Sequence, residues 1–130
     1  MKLRLASLCV VALALPVTAG AAAPFRATLT VTTHTPRVLA RWPYTVRATD
    51  LAGKPVRATL TTQVVDPFGG VHPVEFDCCK KKYVTNHPFT GVFRDRIRFP
   101  PETQGIKLTI RFTVKARGGS RVLTYWVKPR

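Results

Sequence analysis

The stretch Ile106-Lys107-Leu108-Thr109-Ile110-Arg111-Phe112-Thr113-Val114-Lys115 places an apolar residue at every even position and a polar one at every odd position. A period of two belongs to a β-strand with one face in a core and the other in water. Outward from it, the chain from Phe25 onward is β-branched and repeatedly broken by turn formers, and no stretch keeps a helical apolar period over three turns. Strands are expected over 25–33, 37–48, 56–65, 71–76, 89–99, 106–115 and 121–128. The breaks between them include Asp50-Leu51-Ala52-Gly53-Lys54, Asp66-Pro67-Phe68-Gly69-Gly70, Pro100-Pro101-Glu102-Thr103-Gln104-Gly105 and Gly118-Gly119. About seven short strands at this spacing predict an all-β fold, an immunoglobulin-like antiparallel β-sandwich.

Parity also assigns faces. A hairpin turn on Gly118-Gly119 pairs Arg117 with Ser120, which sets Phe112 opposite Tyr125 in the core and Arg111 opposite Trp126 outside. If the loop before Ile106 closes symmetrically, Phe99 pairs with Ile106, Arg94 faces Arg111 and Arg98 faces Lys107. The expectation is one basic solvent face made of Arg94, Arg96, Arg98, Lys107, Arg111 and Lys115, with Trp126 beside Arg111 for a cation–π contact. Such a face suits an anionic ligand, although a solvated surface accounts for the same residues. The alternation turns Asp95 inward between Phe93 and Ile97, where a carboxylate needs a partner, either an arginine or a bulge that releases it.

The N-terminus reads as an export signal over residues 1–21: Lys2 and Arg4, an apolar run from Leu5 to Leu15, and small residues at Ala19-Gly20-Ala21 for cleavage. Residues 22–130 then form one domain, with no membrane span left after cleavage. The whole chain carries 21 Lys and Arg against 6 Asp and Glu, a net charge of +15. Losing Lys2 and Arg4 leaves 19 − 6 = +13 on the exported part. A balance this basic favours anionic partners and salt-sensitive binding. Export directs that preference to an anionic cell-surface polymer or another surface protein rather than to nucleic acid. The scarcity of outward aromatics for stacking bases points the same way.

Catalytic chemistry finds little support. Ser120 is the only serine after the signal and sits in the Gly-Gly turn with no base beside it, His34 lies between threonines and is expected to be exposed, and Glu75 and Asp77 share one strand face, where turn and surface roles explain them as well. The chain is therefore read as a non-enzyme requiring no cofactor. Potential metal ligands gather only around His72, Cys78, Cys79 and His87, with spacing unlike the usual zinc patterns. Cys78 and Cys79 have no other cysteine to pair with after export. Bonding to each other would hold Cα atoms about 3.8 Å apart, below the usual range, so the bridge would be reducible and could not staple the fold. If they are free, Lys80, Lys81 and Lys82 favour the thiolate. Three roles stay open for the pair: redox activity, an intermolecular bridge, or two inert cysteines.

The run Arg41-Trp42-Pro43-Tyr44-Thr45-Val46-Arg47-Ala48-Thr49-Asp50, followed by Ala52-Gly53-Lys54-Pro55-Val56 and later by Gly91-Val92-Phe93, resembles bacterial extracytoplasmic immunoglobulin-like modules, nearest to the YtkA-like group. The resemblance spans about residues 30–115 and implies an exported β-sandwich, associated in some relatives with copper handling. The chain departs from that pattern in having no methionine after Met1, so thioether copper ligands are absent. The sequence thus supports two functions. One is an exported binding or structural module that engages anionic ligands through its basic face. The other is a copper- or zinc-binding or thiol-redox module using His72, His87, Cys78 and Cys79.

Overall fold

The inward positions assigned by alternation close on one another between two antiparallel sheets. A computed structural model describes residues 24–79 and 85–130. The expected signal at 1–21 and Lys80, Lys81 and Lys82 lie outside the described residues. The strands are β1 (Arg26–Val31), β2 (Arg41–Thr49), β3 (Arg57–Val65), β4 (Val71–Pro73), β5 (His87–Thr90), β6 (Val92–Arg98), β7 (Leu108–Ala116) and β8 (Gly119–Val127). Sheet A has the order β1-β2-β6, and sheet B the order β4-β3-β7-β8, with β5 also on β3. Assigning β1, β2 and β6 to one sheet and β3, β7 and β8 to the other is the strand division of an immunoglobulin-like sandwich. None of the described helices is long and apolar enough to cross a membrane.

The core forms where the two inner faces meet. Trp42, Tyr44 and Val46 from β2 pack against Leu60, Ile110, Phe112 and Val114 from sheet B, all buried. The Trp42 indole N–H donates to the carbonyl of Thr33 at 3.0 Å, so this large ring enters the core with its one polar atom satisfied. Phe112 lies 4.9 Å from Tyr44 between ring centroids. Truncating a ring so placed costs about 3–5 kcal/mol.

Two pairings differ from the sequence expectation. The β7–β8 hairpin turns on Arg117 and Gly118, both at positive φ (51° and 74°), so Ala116 pairs with Gly119 and Lys115 with Ser120. Phe112 consequently faces Leu123, Tyr125 faces Ile110 and Trp126 faces Thr109. The shift is two residues, which preserves every inward and outward assignment. The larger difference concerns β6, which pairs with β2 in sheet A and not with β7.

The single strand expected over 89–99 is two strands divided at Gly91. Gly91 sits at φ +73°, and a Cβ there would come within 2.8 Å of the Pro55 Cβ. Its carbonyl accepts from the Ala48 N–H at 2.8 Å while its own N–H donates to Val56 at 3.1 Å. The chain thereby leaves β3 of sheet B and joins β2 of sheet A. After β6, the segment through Pro100 and the 3-10 turn Pro101–Thr103 carries the chain back to sheet B. Consecutive strands β6 and β7 therefore belong to different layers.

Candidate functional site

The crossover divides the expected basic face. Arg94, Arg96 and Arg98 point outward from sheet A, whereas Arg111 and Lys115 lie on the outer face of sheet B, with Lys107 just before β7 and Trp126 on β8. Arg94 is opposite Thr45 and Arg98 opposite Arg41, so the expected pairings of Arg94 with Arg111 and of Arg98 with Lys107 do not occur.

Sheet A gains different companions. The register sets Arg26 opposite Thr49, Thr28 opposite Arg47, Thr45 opposite Arg94, Pro43 opposite Arg96 and Arg41 opposite Arg98. Outward positions on its three strands hold Arg26, Arg41, Arg47, Arg94, Arg96 and Arg98, separated by threonines, Pro43 and Val92, with no carboxylate. Among the described residues the one ion pair joins His72 to Asp66, so none of the six guanidinium groups is neutralised. Neighbouring strands lie about 4.8 Å apart and alternate residues about 6.7 Å apart, so these cations form a compact array. The sequence did carry a signal for the missed members: the alternation Arg26-Ala27-Thr28 and Arg41-Trp42-Pro43-Tyr44-Thr45-Val46-Arg47 marks both arginine sets as outward.

Cations on sheet B are engaged differently. The Arg111 guanidinium donates to the Gln63 side-chain oxygen at 2.9 and 3.2 Å, and the Lys107 ammonium sits 5.1 Å above the Trp126 ring. Lys107, not Arg111, therefore makes the cation–π contact. His34, expected to be free in solvent, stacks on Tyr125 at 4.0 Å and on Trp126 at 3.9 Å, and its Nδ1 donates to the Trp126 carbonyl at 2.6 Å.

Asp95 is buried at 6% exposure, as alternation requires, but its partner is not an arginine. Its carboxylate accepts from the backbone N–H of Asp77 at 3.0 Å, and the N–H groups of Arg96 and Cys78 also point to it. Burial raises its pKa above the ordinary value, and those N–H groups offset part of the rise. Tyr44 lies opposite Asp95 across β2 and β6, and burial pushes its phenol well above the usual range. Among the described residues the buried Tyr44 and Thr62 hydroxyls have no hydrogen-bond partner.

β4 and β5 occupy opposite ends of one edge of β3, and Asp77 is followed by the cysteine pair before β5. Cys78 and Cys79 are joined to each other by a disulfide with Cα atoms 3.8 Å apart. Ligating atoms of Cys78, Cys79 and His87 all fall within 4.8 Å of one another, the one such group of three among the described residues. Both His87 ring nitrogens are 3.9 Å from the Cys79 sulfur, and the ring packs on Phe76 and Phe93. His72 does not join them. Its Nε2 is 2.8 Å from Asp66, whose carboxyl is held below its ordinary pKa by that bond and by the N–H groups of Gly70 and Phe68.

Between the open edges of the sheets runs a groove of about 870 Å³, lined by His72, Glu75, Asp77, Arg96 and Arg98 over an apolar floor that includes Phe76, Ile97 and Phe99. His72, Glu75 and Asp77 share this groove without their ligating atoms gathering as a group of three.

No protein-family model matches the chain, and no curated protein matches it in sequence. Among solved structures, a DUF4466 family protein from Parabacteroides merdae matches with 16% identity and a TM-score of 0.47. The match covers 85% of this chain and 45% of the other, so the chain spans less than half the length of that protein.

Proposed function

We propose that the chain is an exported, non-enzymatic immunoglobulin-like module that holds a phosphate-rich anionic polymer at the cell surface against the outer face of sheet A. The carrying observation is the array of Arg26, Arg41, Arg47, Arg94, Arg96 and Arg98, unpaired with any carboxylate and set among threonines on one sheet. Guanidinium groups bind phosphate oxygens through a planar fork of donors, and threonine hydroxyls between them add further hydrogen bonds. The strands fix the spacing of the attachment points, and ordering each long side chain when a chain of anions docks costs about 0.5–1.5 kcal/mol.

Long-chain inorganic polyphosphate is a suitable probe. Each cation near an anionic surface contributes about 1 kcal/mol, so changing Arg47, Arg94 and Arg96 together to Ser weakens binding about a hundredfold. The same change lowers the slope of log affinity against log salt by roughly two to three. Changing Lys107, Arg111 and Lys115 to Ser removes the same charge from the other side and has a much smaller effect. Equal losses from the two triple variants would leave net charge as the whole explanation and overturn the assignment to sheet A.

A further inference from the structure

We propose that Cys78, Cys79 and His87 form a redox-gated site for a borderline-soft divalent d10 cation, closed while the cysteines are bonded to each other and opened by a dithiol. The site is independent of the arginine face and rests on other observations. Three potential ligands meet within 4.8 Å, Cys78 and Cys79 from the segment after β4 and His87 from the first position of β5. With zinc–sulfur bonds of about 2.3 Å and zinc–nitrogen bonds of about 2.0–2.1 Å, ligand sulfur and nitrogen stand about 3.5–3.8 Å apart across the ion. Both His87 nitrogens stand 3.9 Å from the Cys79 sulfur, so the imidazole is already near ligand distance and needs only to turn to aim one nitrogen at an ion.

The surroundings favour the same chemistry. The His87 ring packs on Phe76 and Phe93, which also touch each other, and the Asp95 carboxylate accepts from the N–H of Asp77 next to the cysteine pair. Asp95 is thus a positioning residue that fixes the backbone entering the site. Cys78 is exposed and Cys79 half-buried, which leaves the sulfurs open to an incoming thiol. The bridge closes no loop of chain between its cysteines, so its opening removes little cross-link stabilisation from the fold.

The steps balance without a further reactant. One thiolate of an external dithiol attacks a cysteine sulfur, breaks the Cys78–Cys79 bond and forms a mixed disulfide. Its second thiol displaces the protein sulfur, so the dithiol leaves as its cyclic disulfide and two electrons and two protons remain with the cysteines. On binding Zn2+ the two thiols release two protons, and two thiolates with a neutral His87 then neutralise the ion's charge. Three protein ligands leave the fourth tetrahedral position open.

The test uses the full chain, reduced with a dithiol, desalted without air and exposed to Zn2+, with bound metal counted after removal of excess ion. The expected result is about one zinc per reduced chain and none per oxidised chain. Cys78→Ser and Cys79→Ser each abolish retention, reduced His87→Ala loses at least about tenfold in affinity against a chelator, and His72→Ala leaves binding unchanged. Thermal unfolding of each variant, measured without metal, separates lost ligands from lost fold. Equal zinc retention by the oxidised chain, no retention by the reduced chain, a disulfide that resists the dithiol, or unchanged affinity in folded His87→Ala would each overturn the site.

Discussion

The two outer faces of the sandwich carry similar residue types and put them to different use. On sheet A, six arginines stand among threonines with no internal neutralisation. On sheet B, Arg111 is engaged by Gln63 and Lys107 by Trp126, while Arg57 and Lys115 stand exposed among threonine, valine and proline. Total charge therefore does not identify a binding surface. The two patches differ in how many of their donors the fold itself engages.

The largest expected effect comes from placing carboxylates within each face. Thr28→Glu with Thr45→Glu sets glutamates opposite Arg47 and Arg94, and polyphosphate affinity falls roughly thirtyfold or more. Stability holds or rises, because each new opposite-charge pair adds about 0.2–1 kcal/mol. Thr59→Glu with Thr124→Glu places glutamates opposite Lys115 and Arg111 on sheet B, and affinity changes only a few-fold. Titration of both double variants, beside urea unfolding, decides the comparison, which breaks if sheet B matters as much.

Next in size is a contrast between the two sides of β6. Arg94→Ser and Arg96→Ser leave the urea midpoint nearly unchanged, since surface changes of this kind fall within about 0.5 kcal/mol. Asp95→Ala leaves the N–H groups that its carboxylate accepts without a partner and destabilises by about 1–3 kcal/mol. Asp95→Asn keeps an acceptor oxygen and loses less. Equal destabilisation by Ala and Asn would show that the acceptor is not what matters.

The smallest effect is at Asp66. Its carboxyl titrates below the ordinary 3.8 because the folded state holds the charged form. The associated stability is present above that value and disappears as pH falls through the folded midpoint. His72→Ala moves the midpoint, followed by carboxyl NMR shifts, back up toward 3.8. Since His72 is exposed and Asp66 only half-buried, solvent screens the pair and acid unfolding of the whole domain changes little.

Most of the strands and their inward faces were legible because a period of two is a local property. Even residues of 106–115 read as core, and Leu108, Ile110, Phe112 and Val114 are buried, whereas Ile106, which precedes β7, is exposed. Strand partnership is not local. Assuming that neighbours in sequence are neighbours in space put β6 beside β7, whereas Gly91 and the Pro100–Pro101 crossing move β6 to the other layer. The basic site was therefore half legible: Arg94, Arg96 and Arg98 share a face, but Arg26, Arg41 and Arg47 complete it. Asp95 shows the same limit, since alternation placed it inside but could not reveal that the backbone after β4 supplies its donors. His87 also meets the cysteines, a meeting that linear spacing does not encode.

β6 is the last strand of sheet A, and three of the six arginines stand on it. An unpaired strand invites a second copy to continue the sheet, and like charges along such an edge hold copies apart. On the proposed function, the face that holds the polymer would thus also guard the domain against self-association. A polyanion that neutralises Arg94, Arg96 and Arg98 removes the repulsion just where several copies are gathered along one chain. Occupancy and clustering are then linked, so turbidity should peak near charge equivalence and clear again when excess polymer spreads the copies out.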